Sequence, residues 1–107
     1  MIVSERNVSD ALTYLAEGGA APSEATFLAA EQRREKLFAK LFLLATGSVE
    51  QRKCSVLIDE EYQKSLSEEI KAKVDFSRAK SRANGADKII DIYRTENANA
   101  RAAERIR

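Results

Sequence analysis

Three features of the 107-residue sequence predict an all-α protein. Proline occurs once, at Pro22, and glycine only four times, so few residues interrupt a helix. Apolar residues recur at three- and four-residue intervals along most of the chain. Residues that start and stop helices stand between the periodic stretches: Ser4, Ser23 and Ser48 in front of them, Gly18-Gly19 and Gly47 behind. With 44% apolar and 33% charged residues the chain is globular rather than disordered. Its length suits one domain. The expected architecture is a short N-terminal helix followed by a long antiparallel helical hairpin, as one helical domain over 1–107, with 95–107 a frayed or flexible end.

The first helix is expected to start after Ser4, with Glu5 favourable in its first turn. Val8, Ala11, Leu12 and Leu15 share one face, and Gly18-Gly19 ends it. "GGAAP" reads as a linker, because the residue before a proline disfavours helix. Ser23 is then expected to cap a second helix running to about Ala45. Phe27, Ala30, Leu37, Leu41 and Leu44 form its main stripe, widened by Phe38, Phe42 and Leu43.

Ser48 and Gln51 have the spacing of a capping box, which predicts a third helix from Val49. Val56, Tyr62, Leu66, Ile70 and Val74 form a stripe along it. Ala79, Ala83, Ala86, Ile90 and Tyr93 prolong that stripe with mostly small residues. Asn84-Gly85 is the one expected rival break point, but an interior glycine costs only about 1 kcal/mol. The reading therefore carries the helix unbroken to Arg94, with "TENAN" ending it. At 1.5 Å per residue such a helix is about 69 Å long and the second about 33 Å. The hairpin alone leaves the C-terminal half of helix three uncovered. Either the chain folds back at Gly85 into a three- or four-helix bundle or another chain covers this half; the small residues, which permit close helix approach, favour a homo-oligomer, most simply a dimer, with Ala79, Ala83, Ala86, Ile90 and Tyr93 as the interface.

The chain has no histidine and a single cysteine, Cys54. The usual Ser-His-Asp and Cys-His sites and ordinary structural zinc sites are thereby excluded, and no intramolecular disulfide can form. Asp59, Glu60, Glu61, Glu68 and Glu69 offer paired carboxylates of the kind that bind a hard cation. Lysines three and four residues away make ordinary ion pairs on a solvated face the expected use. Cys54 is expected to be a small core or boundary residue. The expectation is a non-enzyme with no cofactor and no metal. No apolar run is long enough to cross a membrane, and nothing at the N-terminus resembles a signal peptide, so a cytoplasmic location is expected.

Charge is the strongest functional signal. Net charge is +1, but residues 1–70 hold 8 Lys/Arg against 12 Asp/Glu, a net −4, and residues 71–107 hold 10 against 5, a net +5. Lys73, Lys80, Asn84 and Lys88 share a helical face, flanked by Arg78 and Arg82 and led by Lys71. Arg94, Arg101, Arg105 and Arg107 carry the charge onward, and Asp75, Asp87 and Asp91 interrupt it. A helix of this kind can neutralise successive phosphates. The candidate nucleic-acid or acidic-partner residues are Lys73, Arg78, Lys80, Arg82, Lys88, Arg94 and Arg101.

"ATGSVEQRKCSVLIDEEYQ" (45–63) and "IIDIYRTENANARAAERI" (89–106), with the phenylalanine-rich helix before them, resemble small phage and prophage proteins encoded beside single-strand-annealing recombination genes. The marks are Gly47-Ser48-Val49-Glu50, Arg52, Tyr62, Ile90, Tyr93-Arg94 and Asn99-Arg101. The resemblance covers roughly Phe27 to Arg101 and leaves the first 22 residues outside. It implies a phage accessory protein in the bacterial host cytoplasm and an unbroken third helix; it brings no catalytic residue. The expected function is binding of a macromolecule in DNA recombination, with single-stranded DNA or a recombinase as partner. The alternative is a host-directed inhibitor of anti-CRISPR or anti-nuclease type, with a host nuclease or CRISPR complex as its target.

Overall fold

The computed structural model describes residues 3–106 and is all-helical across them. Four helices follow one another: α1 (Glu5–Ala16), α2 (Ala21–Leu44), α3 (Val49–Leu57) and α4 (Glu60–Ile106). They form two compact units. Pro22–Ser77 is one; the segment up to Ala21 together with the chain from Arg78 onward is the other. α4 contributes to both.

In the Pro22–Ser77 unit, α2 begins two residues before the expected Ser23 cap. Pro22 occupies its first turn, where the missing N–H would have had no intrahelical partner. The facing helices meet along seams spaced by threes and fours. On α2 these positions are Phe27, Ala30, Arg34, Leu37 and Leu41; on α4 they are Tyr62, Leu66, Glu69, Ala72 and Phe76. Phe27 stacks on Phe76 with ring centroids 6.1 Å apart. Phe38 meets Tyr62 edge-on at 5.8 Å and lies parallel to Phe42 at 6.2 Å. Ile70 and Val74, placed on the stripe by sequence, are exposed. Glu69 and Ala72 take the seam positions instead.

The capping box of Ser48 and Gln51 forms as expected. Beyond it the expected continuous helix is interrupted. α3 ends at Leu57, and Asp59 restarts the chain by accepting a hydrogen bond from the Tyr62 backbone N–H at 3.1 Å. Glu60 and Glu61 then sit in the first turn of α4, where the helix dipole favours them. The carboxylate run therefore serves as a helix start. Val56, just before the break, is the most deeply buried side chain described, while Arg52 lies over the Phe42 ring at 5.8 Å.

In the other unit, Ser4 caps α1 by accepting from the Asn7 N–H. Gly18 and Gly19 end the helix in a Schellman arrangement: Gly18 N–H donates to Leu15 C=O and Gly19 N–H to Tyr14 C=O. Gly18 has φ +105°, a conformation that costs a residue with a Cβ. α4 passes through Asn84-Gly85 without a break and continues through "TENAN" to Ile106, beyond its expected end. Its inward positions here are Ala79, Ala83, Ala86, Ile90, Tyr93 and Asn97.

All but Asn97 are the residues assigned by sequence to a dimer interface. Their partner within the chain is α1: Ala11, Ala86 and Ile90 form the core, with Tyr14, Leu15 and Ile89 packed around it. The Tyr14 hydroxyl donates to Ala79 C=O at 3.0 Å, and Gly19 lies beside the Ala83 methyl. The chain's own first helix thus packs on this stripe at Ala79, Ala83, Ala86 and Ile90. Small residues on α4 allow that close approach.

Candidate functional site

All seven candidate cationic residues are exposed on α4: Lys73 in the Pro22–Ser77 unit, and Arg78, Lys80, Arg82, Lys88, Arg94 and Arg101 in the other. Arg107 lies outside the described residues. The helix does not gather them on one face. Lys80, Arg94 and Arg101 each directly follow a position of the α1-facing seam or its continuation, and they fall on one row with a seven-residue repeat. Asp87 takes the remaining place in the row. Two helical turns separate neighbours, about 10.5 Å along the axis. Lys88 stands next to this row, on the side away from α1.

Arg78 and Arg82 project from the other flank of the seam. Arg82 places its guanidinium 4.0 Å from the centre of the Tyr14 ring, a cation–π contact that fixes it against α1. The face of Lys73, Lys80, Asn84 and Lys88, flanked by Arg78 and Arg82, therefore resolves into a cationic row on one side and, on the other, Arg82 against α1 with Arg78 one turn before it. The spacing of seven was legible in the sequence, but Asp87 hides it from a search for adjacent charges.

Among the described residues, Lys73, Arg78, Lys80, Lys88 and Arg94 have no ion-pair partner. Arg101 reaches only the Asn97 carbonyl, at 3.4 Å. From Arg78 to Arg105 the helix carries 7 Arg/Lys against 4 Asp/Glu, a net +3. Such an array can hold an anionic chain by charge.

The other candidates resolve differently. Asp59 is a helix cap, and Glu69 pairs with Arg34 across α2 and α4 instead of with a lysine on its own helix. No cluster of three or more acidic or cysteine side chains suited to a metal ion occurs among the described residues. Cys54 is exposed, not a core or boundary residue. No helix among the described residues is long and apolar enough to cross a membrane.

Sequence reasoning missed a groove flanked by α1 and α4. It measures about 330 Å³ and is lined by Asn7, Asp10 and Tyr14 on α1 and by Arg82, Gly85 and Ile89 on α4, over a floor that includes Ala11 and Ala86. In the sequence Gly85 signals only a possible helix break. Comparison with protein-family models, curated proteins and solved structures finds no match to the chain.

Proposed function

We propose that this protein is a non-catalytic DNA-binding accessory protein, acting in phage recombination as its sequence resemblance implies. The observation that carries the reading is the row of Lys80, Arg94 and Arg101, exposed at a seven-residue repeat on one helix, with Lys88 alongside. Lysine and arginine at such spacing contact backbone phosphates and release counterions, so binding is independent of base sequence and weakens with salt. Single-stranded DNA is the proposed substrate. The test is fluorescence anisotropy with a labelled oligothymidine. Lys80→Glu/Arg94→Glu/Arg101→Glu should lose at least tenfold in affinity at low salt, with the helical signal unchanged. Absence of binding by the unmodified chain at low salt would overturn the proposal.

A second reading draws on a different observation. In the Pro22–Ser77 unit, Leu43, Leu44 and Ile58 are 79%, 71% and 80% exposed. Large apolar side chains left in water at the end of α2 (Leu43, Leu44) and in the α3–α4 break (Ile58) suit a protein that covers a host protein's surface. This is the inhibitor class, of anti-CRISPR or anti-nuclease type. It predicts that Leu44→Asp and Ile58→Asp abolish activity in an infected host, while the triple charge reversal has no effect there.

A further inference from the structure

Gly85 has no structural reason to be glycine. It sits inside α4 without a positive φ. A Cβ placed on it would meet nothing within 4 Å. Glycine in a helix interior is unfavourable relative to alanine, so the chain accepts a cost here that its own packing does not require. The space left by the missing side chain opens into the groove beside α1. An exposed backbone at a groove floor permits close approach by another molecule.

The groove's surroundings define what approaches. Arg78, Arg82, Gly85, Ile89 and Ile92 follow one another at steps of four and three along that flank of α4, basic at one end and apolar at the other. Arg82 is held over Tyr14, ready for a carboxylate. Ile92 is a large apolar residue left exposed beyond Ile89. Asp10 and Asn7 form the opposite wall. A nucleic-acid backbone does not suit this lining: Asp10 repels phosphate, and Ala11, Ala86 and Ile89 offer it no donor. A helix whose apolar ridge fits the bare backbone, with acidic residues at one edge and a polar or basic residue at the other, matches it at every position.

We propose that the groove beside Gly85 receives an acidic amphipathic helix from a partner protein. Its apolar ridge lies over Gly85 and Ile89, and its carboxylates meet Arg82 and Arg78. This site is on the opposite flank of α4 from the proposed DNA row, so one helix can hold a nucleic acid and a protein at once.

The probe is a displayed library of helical peptides with one randomised face, selected against the full chain. Enriched peptides should share apolar residues at i, i+3 or i+4 and i+7 with an acidic edge. Gly85→Leu, whose Cβ meets nothing within 4 Å and whose side chain would fill groove space, should weaken them at least tenfold while circular dichroism and oligothymidine affinity stay unchanged. Gly85→Ala should give a smaller loss in the same direction, and Arg82→Gln should remove the preference for the acidic edge. The proposal is overturned by failure to enrich any peptide, by enriched peptides that bind Gly85→Leu equally well, or by enrichment of basic ones. It is equally overturned if crosslinking through the groove captures a second copy of this chain. Loss of DNA binding in the triple charge-reversal variant tests the other flank and leaves this result independent.

Discussion

Arg34 on α2 and Glu69 on α4 form an ion pair within the seam that otherwise joins apolar side chains. Their side chains are 23% and 14% exposed, so water reaches both only partly. Hydrogen bonding to Glu69, and secondarily to Tyr62, raises the Arg34 pKa above its ordinary value. A raised folded-state pKa contributes stability fully below the unfolded value and loses it as pH rises through the folded one. The window for Arg34 is therefore strongly alkaline, and its contribution should be constant from neutral pH to mildly alkaline conditions.

Removing one partner leaves the other charged and partly desolvated. Breaking a fully buried pair costs about 3–5 kcal/mol, whereas exposed pairs are worth under about 1 kcal/mol. For this intermediate site, Arg34→Ala and Glu69→Ala should each cost about 1–3 kcal/mol in urea unfolding. Arg34→Leu/Glu69→Leu should recover most of that loss, because leucines continue the apolar seam. A double variant as unstable as the sum of the singles would show that the two residues do not act as a pair.

The pair also explains what sequence reading could and could not find. Ser4, Ser48-Gln51 and Gly18-Gly19 were legible because their chemistry is local: each cap bonds within a few residues of itself. The seam through Arg34, Glu69 and Ala72 was not, because two of its members are charged and the third is small. Periodicity points instead to Ile70 and Val74, which face water. The break at Ile58-Asp59 was missed for a related reason. Asp59-Glu60-Glu61 was weighed as a cluster of carboxylates, when an aspartate followed by two glutamates is also a helix start. The groove was illegible because α1 and α4 meet only in three dimensions.

That restart gives the next expectation. Asp59→Ala removes the acceptor for the Tyr62 N–H. Loss of such a cap costs about 0.5–2 kcal/mol. Asp59→Asn should retain most of the stability, since the amide oxygen can still accept. Equal stability of the alanine and asparagine variants would mean that the hydrogen bond does not hold the α4 start.

The cover that α1 provides is testable by removing it. Ala86 and Ile90 are buried against Ala11, and Ile90→Ala should cost about 2–5 kcal/mol. Sedimentation equilibrium of the full chain should give the single-chain mass of 11.9 kDa. Deleting residues 1–20 bares Ala79, Ala83, Ala86, Ile90 and Tyr93 together, and that truncated chain should self-associate. A full chain that already sediments at twice its mass would show that α1 does not satisfy the stripe.

Asp87 gives the sharpest test of the cationic row. It occupies a position one heptad from both Lys80 and Arg94, and it is the only acid in the series that runs from Lys80 to Arg101 at seven-residue steps. If the row tracks a phosphate backbone, Asp87 is a local repulsion, and Asp87→Lys should raise DNA affinity, a gain seldom expected from a single substitution. The salt dependence gives the direction independently. Log affinity for a single strand changes by roughly 0.7 per phosphate neutralised for each tenfold change in salt, so about four contacts give a slope near −3. Asp87→Lys adds one contact and should steepen that slope by about 0.7. Asp87→Asn removes the repulsion without adding a contact, so it should raise affinity with little change in slope. Asp75→Lys, also exposed on α4 but outside the repeat, adds the same charge and should do less than Asp87→Lys. Equal gains from Asp75→Lys and Asp87→Lys would mean that net charge alone governs binding and that the seven-residue row has no special part in it.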